Sequence, residues 1–314
     1  MSQIKTSIVD TGLYVLKEKL RKDQHLKPTN QLPSETIDVK RLDLSQDQVF
    51  WLGHSASLII FNQKVILVDP MLGEYASPIP FMYKRFATQR PLDLAEFEWI
   101  DVVLFTHNHY DHLDKTSVLK IKNKVGLFLV SVGMKKILTR WGVSDKHIQE
   151  MDWHQDLQLG NMKIIATPAK HGSGRGLFDR NKSQCNSWIL KDSNTALFLS
   201  GDSGYDQHFK EIGEKYGPFD LALMECGQYN PHWKEAHMFP EETVEAVLDV
   251  KAQRFIPIHW AGFALSFHPW QEPVEKASKK AQELNLAMDT PMIGEQYRIN
   301  QPNATRKWWR TIDK

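Results

Sequence analysis

From residue 49 onward the chain alternates short apolar runs with polar breaks. Apolar runs of about four to eight residues, bounded by turn formers, read as buried strands. They fall at 57–61, 65–68, 102–106, 126–131, 162–166, 196–200, 220–225 and 254–260. The first two flank Asn62-Gln63-Lys64, a hairpin signal without the preferred Asn-Gly pair. Between and after the runs, helices are predicted at 115–122, 134–141, 206–216, 240–250 and 273–284. Pro240 followed by Glu241 and Glu242 suits a helix first turn, where proline sacrifices no hydrogen bond and acids complement the dipole. Strands and helices come in groups, without strict βαβ alternation, which predicts a layered α+β sandwich rather than a doubly wound sheet. Two apolar runs end in an acid, 65–68 in Asp69 and 197–200 in Gly201-Asp202. Matching junctions of this kind fit an internally duplicated fold, although acids also commonly begin turns.

The texture before residue 46 is different. A polar stretch carries Leu13, Leu16 and Leu20 among Lys17, Lys19, Arg21 and Lys22, then a Pro/Asn/Ser-rich segment at 27–36. The expected organisation is an N-terminal extension (1–45), one large domain (46–300) and a short tail (301–314). The tail motif Arg306-Lys307-Trp308-Trp309-Arg310 mixes aromatics with cations. Such a mix suits reversible peripheral contact with a membrane surface, as does the amphipathic segment 13–22; a Trp pair packed onto the domain is the alternative for the tail.

Charge and composition narrow the function. With 39 Lys+Arg against 38 Asp+Glu in 314 residues, the net charge of +1 offers no basic footprint for nucleic acid. No run is long and apolar enough for a spanning helix; the longest candidate, 255–267, carries His259 in its middle. The N-terminus lacks a basic segment leading into an apolar leader, and Cys185 and Cys226 are far apart. A cytoplasmic, reducing location is therefore expected, with no disulfide framework.

The 13 histidines are the exception to this bland composition. Three of them crowd into Thr106-His107-Asn108-His109-Tyr110-Asp111-His112-Leu113-Asp114, directly after an apolar run. Helix positions i and i+2 point to different sides, so this set converges only from an irregular loop at a strand end. Burying so many imidazoles and carboxylates without a cation is costly, and these groups are ordinary zinc ligands. His171, Asp202 and His259 each stand at or near the end of an apolar run, where loops gather at one rim of a sheet. His25, His147, His154, His208, His232 and His268 have no such context and are read as structural or surface residues.

The run His107-Asn108-His109-Tyr110-Asp111-His112 resembles the H-x-H-x-D-H signature of the metallo-β-lactamase superfamily. Within it the chain is most similar to the N-acylphosphatidylethanolamine-hydrolysing phospholipase D branch. The matching pieces are Thr167-Pro168-Ala169-Lys170-His171, Gly201-Asp202-Ser203-Gly204-Tyr205, Gly217-Pro218-Phe219-Asp220, His237 with Pro240-Glu241-Glu242, and Ile258-His259-Trp260. The resemblance implies a four-layer αββα sandwich, two mixed sheets with helices outside and the metal site at one edge. It implies two zinc ions, one on His107, His109 and His171, the other on Asp111, His112 and His259, with Asp202 bridging. Manganese or iron would also suit these donors. Asp111, Asp202 and His237 are then the expected catalytic groups, with Tyr229, Gln228 and His237 lining the substrate pocket. His54 and Asp69 are expected behind the ligands, orienting an imidazole through its other nitrogen.

The implied activity is hydrolysis of a small-molecule or lipid phosphodiester by a hydroxide held on the metals. Two departures bear on substrate: Gly172 replaces an aromatic residue of the branch, and Glu225-Cys226-Gly227-Gln228-Tyr229 stands where the branch has Pro-Ile-Gly-Ala-Tyr. A different hydrolase of the same fold, such as a sugar-lactone hydrolase, and a metal-free binding scaffold are the competing readings. The loop 173–185, with Arg175 and Arg180 among glycines and polar residues, is either a phosphate-facing element or an ordinary connection.

Overall fold

Two seven-stranded sheets face one another in a computed structural model that describes residues 25–79, 81–176, 178–302 and 306–313. The first sheet uses β1 (Gln48–Trp51), β2 (Ser57–Phe61), β3 (Lys64–Val68), β4 (Ile100–Phe105), β5 (Val125–Ser131) and β6 (Ile148–Met151), closed by β14 (Gln296–Arg298). The second uses β7 (Asp156–Leu159), β8 (Met162–Pro168), β9 (Asn186–Lys191), β10 (Ala196–Leu199), β11 (Leu221–Glu225), β12 (Arg254–Ile258) and β13 (Ala287–Met288). Strand orders are β14-β1-β2-β3-β4-β5-β6 and β13-β12-β11-β10-β9-β8-β7. The helices are α1 (Lys115–Ile121), α2 (Lys135–Arg140), α3 (His208–Tyr216), α4 (Pro240–Asp249) and α5 (Glu272–Glu283).

The continuous apolar runs follow from burial on both faces of each sheet. Along β2 and β3, Ile59, Phe61, Ile66 and Val68 face the second sheet, sharing a core with Ile164, Trp188 and Phe198. Their neighbours Leu58, Ile60, Val65 and Leu67 face outward, packing with Val118 and Ile121 of α1 and Leu138 of α2. Helices α3, α4 and α5 cover the other side of the second sheet through Ile212, Val247 and Val274. The predicted four layers are present.

The matched acid junctions belong to a duplication. In the first half β2 pairs antiparallel with β3, and β3, β4, β5 and β6 then run parallel. In the second, β9 pairs antiparallel with β10, followed by parallel β11, β12 and β13. Asp69 follows β3 and Asp202 follows β10, so the two carboxylates hold equivalent places.

Several expectations need correction. The hairpin turn is only two residues, with Asn62 and Gln63 at φ 51° and 61° and Phe61 opposite Lys64. That is the backbone a type I′ turn requires, reached without glycine. Strands β6 and β7 were hidden by edge-strand polarity and β9 by its polar start, Asn186-Ser187, although all but one of its residues are buried. The run 254–260 ends as a strand at Ile258, because His259 and Ala261 turn left-handed at φ 66° and 54°. In the tail, Trp308 and Trp309 are core residues: Trp308 stacks on Trp260 at 5.3 Å, which itself stacks on Trp51 at 5.2 Å. The tail aromatics are thus not a surface feature, and Arg310 pairs with Glu275. Described residues of the N-terminal stretch also lie against the domain, Leu32 donating to the Ala87 carbonyl and Thr29 to Asp313. The amphipathic segment 13–22 lies outside the described residues.

Candidate metal centre

The loop 106–114 is clamped at both ends. At its start the Thr106 amide and hydroxyl donate to Asp69 at 2.9 and 2.6 Å. At its finish Asp114 caps α1, accepting from the amides of Thr116 and Ser117. Between these clamps the chain folds back on itself, with the amides of His112 and Leu113 donating to the His109 carbonyl.

The hydrogen-bond chain then fixes which imidazole nitrogens carry protons. Thr106 Oγ1 spends its hydrogen on Asp69 and accepts from His107 Nδ1 at 3.0 Å, leaving His107 Nε2 a bare lone pair. His171 Nδ1 donates to the Ala236 carbonyl at 2.8 Å, so its Nε2 is bare too. Both bare nitrogens point at His109 Nδ1, at 3.0 and 3.1 Å. Three ring nitrogens therefore converge on one point.

A second group forms beside it. His112 Nδ1 donates to Asp69 at 2.7 Å, turning its Nε2 toward Asp202 at 3.0 Å and Asp111 at 3.5 Å. His259 Nε2 meets the same two carboxylates at 3.2 Å (Asp111) and 3.1 Å (Asp202). Asp202 Oδ2 also lies 3.8 Å from His107 and 3.9 Å from His171, placing it between the two groups. Among the described residues His112 Nε2 and Asp202 Oδ1 are buried without a hydrogen-bond partner.

Lone pairs facing lone pairs and carboxylates are what a cation resolves. Burial, then the neighbouring imidazoles, hold His107 far below the ordinary imidazole value; burial and His171 take His109 to about 3, and burial and His237 take His171 to about 4. Burial also opposes charge on His112 and His259, but the surrounding carboxylates, Asp202 foremost, win and drive His112 far up and His259 to about 10. The positive charge demanded there is one that divalent cations supply while the imidazoles stay unprotonated. The donor set fits two metal ions, His107, His109 and His171 for one, Asp111, His112 and His259 for the other, Asp202 between.

Asp69 lies behind the His112 imidazole, whereas His54 contacts a carboxylate rather than an imidazole nitrogen. His54 Nε2 bonds Asp111 Oδ2 at 2.9 Å, its ring lies 4.3 Å from that of His259, and the backbones of His54, His259 and Trp260 exchange hydrogen bonds across the two halves. His54, Asp69, Gln228 and His259 all adopt positive φ, strain of about 1–3 kcal/mol each that the packing maintains. Gly227 is needed for this approach: a Cβ there would lie 2.1 Å from the His259 carbonyl oxygen.

A cavity of about 310 Å³ opens over the centre, lined by His109, Asp111, His171, Asp202, Gln228, Trp233, His237 and His259. Of the expected pocket residues, His237 belongs there, its ring stacked on His259 at 5.0 Å. Gln228 borders it, but its side-chain amide is spent on the backbone of Phe263, Leu265 and Ser266. Tyr229 turns away, its hydroxyl donating to Glu272 and its ring stacked on His268 at 4.5 Å. The phosphate-facing reading of the loop 173–185 does not hold for Arg175. Its Nη1 donates to the carbonyls of Asn108 (2.9 Å), His109 (3.3 Å) and Leu113 (2.6 Å), behind the ligand loop. Its guanidinium covers the Tyr110 ring at 3.7 Å, and Arg180 is exposed.

One residue of the site is visible in the sequence only as a departure from the branch, with no role attached. Glu225, fully buried at the end of β11, stands 3.1 Å from His237 Nδ1 and 3.7 Å from His259 Nδ1. Burial, followed by the Asp202 charge, pushes its carboxyl well above the ordinary value, and burial takes His237 down to about 4. The signal was available: Glu225 ends an apolar run, as Asp69 does.

Residues 64–260 match the family model described as the Beta-lactamase superfamily domain. The chain belongs to the metallo-β-lactamase superfamily, and its fold and donor set are those of a metal-dependent hydrolase. Its homologues place it with the phospholipase D branch. It is 36% identical over 242 residues to the mitochondrial N-acyl-phosphatidylethanolamine-hydrolyzing phospholipase D of Saccharomyces cerevisiae, covering 74% of this chain and 51% of that protein. It is 32% identical over 257 residues to N-acyl-phosphatidylethanolamine-hydrolyzing phospholipase D 1 of Caenorhabditis elegans, covering 77% and 72%. An uncharacterised protein of Mycobacterium tuberculosis is 35% identical over 291 residues, covering 90% and 77%. Among solved structures, a metallo hydrolase of Ignicoccus hospitalis superposes with a TM-score of 0.60 at 22% identity, covering 80% of this chain and 97% of that one. CmlA, a diiron β-hydroxylase of Streptomyces venezuelae, gives 0.63 at 18%, covering 81% and 54%. These structural likenesses establish the fold; the chemistry differs between them. Among the described residues no helix is long and apolar enough to cross a membrane.

Proposed function

We propose that this chain is a dinuclear zinc phosphodiester hydrolase acting on an N-acyl ethanolamine phospholipid or a related phosphodiester. The observation that carries the reading is the position of Asp202 Oδ2, within 3.0–3.9 Å of imidazoles from both donor groups, in a chain 32–36% identical to two phospholipases of that class. Metals held there would polarise the phosphoryl oxygens and bring the pKa of a bound water down to about 7. The chain's own residues do the rest. Asp69, Ala236 and Gly227 hold His112, His171 and His259 with their free nitrogens inward. Asp111, accepting from His54, is fixed against His259. His237 stands at the cavity wall, beside the position a phosphodiester would occupy. The near-neutral chain charge is no obstacle to an anionic substrate, since the metals supply local positive charge.

The test is to load the protein with zinc, count bound metal by mass spectrometry, and offer N-acylphosphatidylethanolamine, bis(p-nitrophenyl) phosphate and a sugar lactone. Release of phosphatidic acid, with about two zinc ions per chain, supports the proposal. Turnover of the lactone alone sinks the substrate reading, and unbound metal sinks the mechanism.

A further inference from the structure

Glu225 lies outside the seven donors assigned above, yet it is fully buried and its carboxylate gathers with Asp202, His237 and His259 at the edge of the centre. Both of its oxygens are engaged. Oε1 accepts from the Met238 amide at 3.0 Å, and Oε2 lies 3.1 Å from His237 Nδ1, the two sharing one hydrogen. The backbone carbonyl of the same residue accepts from Thr243 Oγ1 at 2.8 Å, and its amide donates to Ser200 Oγ at 2.9 Å. Glu225 is thereby locked from four directions to its strand, to α4 and to the end of β10. The imidazole it holds is the cavity-wall residue His237, whose ring stacks on His259 at 5.0 Å and meets the His171 ring edge-on at 4.9 Å.

We propose that Glu225 is a positioning residue acting through His237. It anchors Nδ1 of that ring so that the opposite edge, with Nε2, is presented to substrate over the metal centre. His237 arrives on the segment between a short 3-10 turn (Pro231–Trp233) and α4, without strand pairing to fix it. A side chain with two rotatable bonds on such a segment needs a partner to hold one orientation, and Glu225 with the stacked His259 ring provides it. The inference builds on the proposed phosphodiester hydrolysis.

The experiment compares wild type, E225L, E225Q, H237A and the double variants E225L/H237A and E225Q/H237A, each zinc-loaded. Metal content, thermal unfolding, steady-state kinetics on bis(p-nitrophenyl) phosphate and N-acylphosphatidylethanolamine, and imidazole 15N spectra are recorded. E225L is expected to lower kcat about 10- to 100-fold, the usual scale for groups that orient active-site residues, with bound zinc unchanged and KM moved far less. E225Q, which retains one hydrogen bond to the ring, falls between. Each double variant should be no slower than H237A, and the His237 15N resonances should shift in E225L. Wild-type kcat in E225L, multiplicative losses in the doubles, or a loss of activity that follows zinc loss overturns the inference. If E225L does not fold, the E225Q cycle decides alone. If wild type hydrolyses neither diester, the proposed function has failed, and an unshifted or shifted His237 15N signal still decides whether Glu225 anchors the ring.

Discussion

Asp69 and Asp202 occupy equivalent places in the two halves, each following the second strand of a repeated β-pattern, and they do opposite work. Asp69 is saturated: it accepts from the Thr106 amide, the Thr106 hydroxyl and His112 Nδ1, and touches no bare nitrogen. Asp202 is starved: Oδ1 has no partner, and Oδ2 faces imidazole nitrogens whose protons are elsewhere. The same backbone junction therefore yields a support in one half and a metal-seeking carboxylate in the other. What separates them is the supply of donors. Asp69 receives hydrogens from Thr106 and His112; Asp202 faces imidazole lone pairs from both halves, His107 and His112 of the first and His171 and His259 of the second.

The sharpest way to break the contrast is to remove Asp202. D202A should reduce turnover by about 10³-fold or more, since it deletes the one group shared by both donor sets. It should also lower the zinc count, read by mass spectrometry. D69N leaves every ligand in place but sets an NH2 against donors that need an acceptor. It should cost about 10- to 100-fold in zinc affinity or activity, checked by competition with a chromogenic chelator. Equal damage from D69N and D202A would erase the distinction between support and ligand.

The two supports also differ in their response to acid. Behind Asp202, Ser203 Oγ meets the buried His208 at 3.1 Å, and burial depresses that imidazole to about 4. In the unfolded chain a histidine titrates near 6.5, so below that pH the unfolded state binds a proton that the folded state refuses. Stability from this site is therefore full above about 6.5 and falls as pH drops toward 4. Between pH 8 and 5 the loss is about 2 kcal/mol, and H208Q should flatten that part of a urea-denaturation profile. In the first half the ligand loop leans instead on Arg175. R175A strands the carbonyls of Asn108, His109 and Leu113 and should lower unfolding free energy by about 1–2 kcal/mol. R175K should restore part of it, because an ammonium can reach one of those carbonyls, and thermal unfolding with and without zinc reads both.

Legibility varied along the same lines. Runs buried on both faces, such as β2, β3, β4 and β5, announce themselves because nearly every position is apolar. Edge strand β6 reads Ile-Gln-Glu-Met and β7 reads Asp-Leu-Gln-Leu, each too short and half polar, and β9 buries an asparagine and a serine at its start, so all three were missed. The ligands were readable because chemistry concentrates them: no soluble core accommodates His107, His109, Asp111 and His112 together without a cation. Tyr229 was misplaced because it neighbours Gln228 in sequence, while the positive φ of Gln228 turns the chain and sends the phenol to Glu272.

By itself, then, the sequence determined the layered α+β class and the matching acid junctions at Asp69 and Asp202, and through its resemblance to the superfamily it pointed to seven candidate metal donors. Those are properties of residue type and order along the chain. The tertiary structure alone decided the partners: that Asp69 would be fed protons and Asp202 denied them, that Arg175 would brace the ligand loop from behind, that Trp308 and Trp309 would close the core, and that Glu225 would stand against His237. Each depends on which strand ends meet at the rim between two sheets. A hydrogen bond is set by a distance of about 3 Å and an angle, which residues far apart in sequence acquire only on folding.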